Sequence, residues 1–248
     1  MKLRNKNAIV TGASKGIGAE IARALAAEGA SVVVNYNSDR KGAEKVVSAI
    51  TAKGGKAVAV KADVSNAAEI RTLFERAVEA FGPLDILINN AGVYEFGALE
   101  QVDERHFHRQ FDVNVLGLLL ATQEAVKHFR IGGGSIVNLS STVSRVLMPG
   151  ASVYAATKAS VDAITTVLSK ELGPRQIRVN AINPGMIETE GIHAAGFMGS
   201  DLQKSVAAQA PLGRIGQPDH IAPTAVFLAS ADSKYMTGET LFVSGGFR

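Results

Sequence analysis

Apolar runs of strand length alternate with longer amphipathic stretches along the whole chain, and this alternation constrains the fold more than any other feature. Residues 7–11 (NAIVT), 31–35 (SVVVN), 56–61 (KAVAVK), 84–89 (LDILIN), 134–139 (GSIVNL), 177–183 (IRVNAIN) and 240–244 (TLFVS) read as strands. Several are apolar on consecutive residues, as parallel strands covered on both faces require. Helices are predicted near 16–28, 39–53, 66–81, 104–130, 153–172 and 219–230, with Gly82-Pro83 as a sharp helix stop before the fourth strand. A β-α-β-α order of this kind implies an α/β fold: a doubly wound central parallel sheet of about seven strands flanked by helices, with right-handed crossovers. The chain has 248 residues, 46% of them hydrophobic, and shows no repeat, linker or low-complexity tract, so one domain over 1–248 is expected.

Composition removes several functional classes. Lys and Arg number 26 against 23 Asp and Glu, with no long run of one sign and no recognition module, so no nucleic-acid partner is expected. Cysteine is absent, which excludes disulfides, Cys-ligated zinc and a thiol nucleophile. The five His form no H-E-x-x-H pattern, and His106 and His108, two apart on a helix, point to different faces, so no metal site is expected. The opening MKLRNKNAIVTG lacks the apolar stretch of a signal peptide, and no uncharged apolar run reaches the roughly 18 residues of a membrane span. A cytoplasmic protein without a membrane partner is the expectation.

The first strand runs into Thr11-Gly12-Ala13-Ser14-Lys15-Gly16-Ile17-Gly18 and then a helix. Glycines let the backbone turn sharply and approach a diphosphate that a Cβ would obstruct, and the helix offers free N–H groups and a positive dipole end to the anion. Because this turn lies at the first strand-to-helix junction of an alternating chain, it reads as the dinucleotide seat of a Rossmann-type sheet, although the spacing T-G-x-x-x-G-x-G departs from G-x-G-x-x-G. The candidate phosphate-binding residues are Gly12, Ser14, Lys15, Gly16, Ile17 and Gly18. The second strand ends at Asn35-Tyr36-Asn37-Ser38, where NAD sites usually carry an acid for the ribose hydroxyls. Neutral Tyr36, Asn37 and Ser38, with Lys15 and Arg40 nearby, suit the additional phosphate of NADP(H), which is preferred here, with NAD(H) left open. Asp39 counts against this preference unless it serves as a helix N-terminal residue.

Further along, Asn89-Asn90-Ala91-Gly92 closes the fourth strand, Ser141 follows the fifth, Tyr154-Ala155-Ala156-Thr157-Lys158 opens a long helix, and Asn183-Pro184-Gly185 ends the sixth strand. Tyr154 and Lys158 are four apart, hence one turn apart on one helical face. A phenol of pKa near 10 is a poor base at neutral pH. A neighbouring ammonium, helped by an oxidised nicotinamide, is expected to lower that pKa, so that the phenol exchanges a proton with an alkoxide. Together with the glycine turn, these motifs resemble the short-chain dehydrogenase/reductase family from residue 11 to Gly245-Gly246. The resemblance implies NAD(P)H-dependent interconversion of a ketone or aldehyde and an alcohol. It implies Tyr154 as acid/base, Lys158 as its partner and ribose ligand, and Ser141, thirteen before Tyr154, as the serine that orients the carbonyl in preference to Ser140. Asn114 is implied to hold a water in a proton relay from Lys158. It also places Asp63 and Val64 at the adenine, Asn90, Ala91 and Gly92 on the ribose side, and Pro184, Gly185, Ile187 and Thr189 around the nicotinamide. Asp63 reads equally as a helix cap. Ser244 stands where the family often has an Asp, which puts a C-terminal interaction in doubt.

Residues 186–216 interrupt the strand–helix rhythm and read as a lid over the substrate, or alternatively as an ordinary helical excursion. Tyr94, Phe96, Val143, Arg145, Met148, Ile187, Phe197 and Met198 are the candidate substrate-facing residues. Being mostly apolar, they suit a small hydrophobic or aromatic carbonyl compound or alcohol. Arg145 reads either as a partner for an anionic group or as a plain surface arginine. A 3-oxoacyl-carrier-protein reductase would need basic residues at the pocket mouth, for which Lys127, Arg130 and Lys170 are the candidates. A sugar dehydrogenase and a non-catalytic cofactor-binding sensor are the other readings. Apolar residues on more than one face of 104–130 (Phe107, Phe111, Val115, Leu118, Leu119, Leu120) and the family's habit of pairing its two long helices point to a homotetramer.

Overall fold

A computed structural model describes residues 1–247. Seven parallel strands form one sheet in the order β3-β2-β1-β4-β5-β6-β7. They are β1 Asn7–Val10, β2 Ser31–Tyr36, β3 Lys56–Lys61, β4 Ile86–Asn89, β5 Gly134–Leu139, β6 Ile177–Pro184 and β7 Thr240–Val243. The consecutive apolar residues have a direct cause. Ala8, Val10, Val32, Val34, Ile86 and Ile88 feed one apolar layer, while Ile9, Val33 and Leu87 feed the other.

Helices α1 (Gly16–Ala27) and α2 (Arg40–Thr51) cover the first face. Helix α3 (Ala67–Phe81) lies on the second, through Leu73 and Phe74. The stretch expected as one helix over 104–130 is three pieces: α4 (Glu104–Phe111), a π-helical turn (Asp112–Leu116) and α5 (Gly117–His128). The wider turn adds a residue to the helical path and carries Asn114 into the interior, as π-bulges at functional sites do. Helix α6 (Ser152–Leu172) follows β5. The 186–216 segment holds two short helices, α7 (Glu190–Ala194) and α8 (Asp201–Gln209). Its base is closed by an isolated bridge between Ile187 and Gly216. Helix α9 (Pro218–Ala229) packs with α1 on the first face through Ile221 and Leu228. Among the described residues no helix is long and apolar enough to cross a membrane.

Two expected boundaries move for physical reasons. The fourth strand starts at Ile86, two residues later than expected. Asp85 ahead of it is buried, and its carboxylate accepts from the Asn7 amide and from Lys6 and Arg130. Asp39 lies outside the second helix as its N-cap, accepting from the Gly42 amide at 2.9 Å. That is the capping alternative raised above.

Candidate active site

In the order β2-β1-β4-β5 the winding reverses between β1 and β4, so their carboxyl ends open a crevice. The glycine turn forms its floor. Gly12 has φ +61, and a Cβ there would meet the Ala91 Cα at 2.8 Å; one on Gly18 would run into the Asn90 amide and the Gly12 carbonyl. These contacts leave room for backbone only, the cradle a diphosphate needs. Asn90 Nδ2 donates to the carbonyls of Thr11 and Gly12 at 2.8 and 2.9 Å, and the amides of Asn90 and Ala91 both donate to Thr11 Oγ1 at 3.0 Å. Helix α1 has no side-chain cap at Lys15. Its Gly16 amide donates instead to Glu190 Oε2 at 3.1 Å. The first residue of α7 thus sets its carboxylate on a donor that suits an anion.

Asn35, next to the neutral residues at the end of β2, has a structural task. It is buried, its Oδ1 accepts from the Gly12 amide at 3.0 Å, and its Nδ2 donates to the carbonyls of Val60 and Ala62. Asn37 and Ser38 are exposed beside it, and Tyr36 is half-buried. Arg40 pairs with Glu44 on the α2 surface at 2.7 Å, so its guanidinium is shared. Asp63 accepts from Asn37 Nδ2 and from the Ser65 amide and hydroxyl. Burial pushes its carboxyl up, but these hydrogen bonds together outweigh it and hold the group below its ordinary value. The Val64 side chain is buried against Gly117, whereas the Asp63 carboxylate meets Asn37 beside the end of β2.

Beyond the turn lies a mainly apolar cavity lined by Ile17, Ser141, Tyr154, Pro184, Gly185, Ile187 and Thr189. Of the expected substrate-facing residues, Tyr94, Phe96, Val143, Met148, Ile187 and Phe197 line it. Arg145 and Met198 do not. Arg145 lies on the surface, with its guanidinium 5.0 Å from the Phe242 ring centre and Nη2 on Thr240 Oγ1, which settles its two readings in favour of a surface arginine. Phe96 stands among three rings, its centre 5.8 Å from Tyr154, 6.1 Å from Tyr94 and 5.6 Å from Phe197 of the 186–216 segment. Lys127 and Arg130, candidates for the cavity mouth, pair with Glu124 and Asp85 instead. Arg130 and Asp85 sit at the amino ends of β4 and β5, opposite the cavity.

Tyr154 and Lys158 lie on one face of α6, Lys158 Nζ 5.8 Å from the phenol ring centre and donating to the Leu139 carbonyl at 2.8 Å. Ser141 is hydrogen-bonded to Tyr154, and its Oγ also accepts from the Val143 amide. Ser140 Oγ turns away to the Lys158 carbonyl. The expected lowering of the phenol pKa is not found in these surroundings. Burial pushes Tyr154 up to about 12, the Ser141 hydrogen bond draws it back part of the way, and Tyr94 adds a further push upward. Burial likewise pushes the Lys158 ammonium down to about 8, against the opposing pull of Asp162. The ammonium lies under the ring with its hydrogen bond directed to a carbonyl, so desolvation decides both shifts.

Asn114 is buried with its side chain committed to protein: Oδ1 accepts from the Val93 amide, and Nδ2 donates to the Val93 carbonyl and Thr157 Oγ1. It fixes the stretch of chain carrying Tyr94 to α6. Thr189 Oγ1 caps α7 by accepting from the Ile192 amide at 3.3 Å and retains its O–H as a donor. Thr11, Asn35, Glu190, Ser144, Asp162 and Asn183 are additional polar residues around the site to which the motifs assign no task. Asn35 and Asn183 carried a signal, a polar residue inside an apolar strand.

The profile of a family described as enoyl-(acyl carrier protein) reductase matches residues 12–248. An oxidoreductase of Methylorubrum extorquens with no assigned activity is 59% identical over 100% of this chain and 99% of its own length. The 3-oxoacyl-[acyl-carrier-protein] reductase of Staphylococcus aureus is 42% identical, covering 97% of both chains. A short-chain dehydrogenase of Burkholderia cenocepacia, solved in complex with NADP, superposes with a TM-score of 0.93 at 35% identity over 99% of both chains. The chain belongs to the short-chain dehydrogenase/reductase family, oxidoreductases that use NAD(P)H to interconvert carbonyl compounds and alcohols.

Proposed function

We propose that this chain is an NADP(H)-preferring reductase or dehydrogenase of small apolar ketones, aldehydes and secondary alcohols, with Tyr154 as its acid/base. One observation carries the reading: the Tyr154 hydroxyl, paired with Ser141, lines an apolar cavity directly beside the glycine turn. A bound nicotinamide dinucleotide supplies the hydride. In reduction the Ser141 hydroxyl orients the carbonyl oxygen and steadies its growing charge. Tyr154 gives its proton to that oxygen, and the Lys158 cation beneath stabilises the phenolate left behind. Solvent then returns a proton to Tyr154.

The NADP preference rests on the neutral Asn37 and Ser38 at the end of β2, on Asp39 being occupied as a helix cap, and on the exposed Lys15. Residues 186–216 act as a lid, closed at its base by the Ile187–Gly216 bridge and touching the glycine turn through Glu190. Glu190 and the cofactor diphosphate compete for the Gly16 amide, which couples lid position to cofactor binding. The carrier-protein reading loses Lys127 and Arg130, both held in ion pairs. The apolar lining argues against sugars.

The test is a panel of ketones, aldehydes and sugars followed by NAD(P)H absorbance with both cofactors. Apolar ketones with NADPH are expected to turn over fastest. Tyr154→Phe is expected to bind NADPH as the wild type does and to lose about 10³-fold or more in kcat. Equal turnover by that variant would remove the acid/base assignment, and comparable rates with NADH would remove the cofactor preference.

A further inference from the structure

Behind Ser141 lies a hydrogen-bonded group that the reaction above does not use. Asp162 follows Lys158 by one further helical turn, so Tyr154, Lys158 and Asp162 form a stripe on α6. Asp162 Oδ2 accepts from Ser144 Oγ at 2.6 Å, and both carboxylate oxygens lie 3.1 Å from Asn183 Nδ2. The same Asn183 nitrogen reaches the Ser141 carbonyl at 3.2 Å and Ser144 Oγ at 3.1 Å. Asn183 is fully buried at the end of β6, and every neighbour of its nitrogen is an acceptor, so the amide has one sensible orientation. The Ser141–Ser144 turn is thereby tied at both ends, to β6 through Asn183 and to α6 through Asp162.

We propose that Asp162 is a positioning residue for the reaction: its carboxylate clamps the turn bearing Ser141 and sets a fixed negative charge on the far side of Lys158 from Tyr154. The inference rests on the hydride-transfer reading above. Two consequences separate it from simple scaffolding. An asparagine at 162 keeps an acceptor for Ser144 but removes the charge and turns one oxygen facing Asn183 Nδ2 into a donor, so loss of rate reads the clamp and the shift of the alkaline limb reads the charge. The charge also favours the ammonium form of Lys158. Around Lys158 the groups facing it are Tyr154 and Asp162 on its own helix, the Leu139 carbonyl from β5, and Gly92 and Asn114 from the opposite wall, with Tyr94 behind the phenol. Asp162 is the only charged group among these neighbours. Removing its charge lowers the Lys158 pKa further, so the cation is lost at a lower pH.

The experiment compares wild type, Asp162→Asn, Asp162→Glu and Ser144→Ala in kcat, KM and NADPH dissociation constant across pH 6 to 10. For Asp162→Asn the expected result is about tenfold lower kcat at pH 7 with NADPH affinity unchanged. Its alkaline fall in reduction rate is expected about one pH unit lower than in wild type. Asp162→Glu restores the charge and is expected to return the alkaline limb. A kcat for Asp162→Asn within twofold of wild type, or an unmoved limb, overturns the proposal. Should Asp162→Asn fail to fold, Ser144→Ala decides: a several-fold loss of kcat with the limb in place supports the clamp, and a wild-type kcat overturns it. Wild-type protein inactive on every carbonyl tested would defeat the functional reading instead, a result distinguishable from any of these.

Discussion

Lys158 shows how the residue that chemistry needs sits against the interest of stability. It is 6% exposed, and its Nζ has one protein hydrogen-bond partner, the Leu139 carbonyl. Its ammonium is pushed from 10.5 down to about 8 by burial. The charged form is therefore penalised in the folded state. That penalty is present in full below pH 8, where folded and unfolded chains are both protonated, and it fades as pH rises toward 10.5. A shift of this size corresponds to about 3 kcal/mol at neutral pH. Lys158→Met keeps the aliphatic stem and removes the charge. It is expected to abolish turnover while raising the melting temperature by several degrees at pH 7, with a smaller gain at pH 10. A melting temperature below that of wild type at pH 7 would show that the Leu139 hydrogen bond outweighs desolvation. The phenol behaves in the opposite sense: Tyr154, pushed up to about 12, loses stability only as pH rises above 10.

At the scale of elements, the buried carboxylate of Asp85 joins three pieces of structure. Its side chain is 3% exposed, and it binds the Asn7 amide of β1, Lys6 just before it and Arg130 just before β5. Lys6 and Arg130 are half-exposed and can turn to water in its absence, whereas the Asn7 amide cannot. Asp85→Ala is accordingly expected to cost about 2 kcal/mol, dominated by the orphaned amide, measurable as a lower urea midpoint at unchanged slope. An effect below about 0.5 kcal/mol would mean that the amide finds another partner. Elements of this kind were legible from apolar period and glycine punctuation, and so were the strand order's general type and the Tyr154–Lys158 stripe, because each is a local pattern. The π turn was not legible, since a one-residue widening leaves the apolar spacing of Asp112–Leu116 almost unchanged. Nor were the tasks of Asn35, Asp162 and Asn183, most of whose partners lie 18 to 42 positions away in the chain. The direction of the Tyr154 shift escaped for the same reason, as burial is a tertiary quantity and charge spacing along a helix does not contain it.

For the whole molecule, the surface of α4, the π turn and α5 poses a question that the sheet does not answer. Phe107, Leu116 and Leu119 are 41%, 43% and 38% exposed along this one run, and Val167 on α6 is 52% exposed. Isolated apolar residues on a surface need no partner, whereas a contiguous apolar patch marks association, and we propose that these residues form one. The same two helices carry Asn114, Tyr154 and Lys158 on their inner sides. Pairing across them would stiffen the walls of the cavity, so assembly and catalysis would be coupled through shared helices. Static light scattering is expected to give a mass about four times the 25.9 kDa of the chain. Leu119→Glu, which places a charge in that patch, is expected to shift the population to smaller species with kcat reduced several-fold and far-ultraviolet circular dichroism unchanged. A monomer at micromolar concentration with full activity would break the link between the two helices' outer and inner faces, and would leave the exposed Phe107 and Leu116 to some other partner.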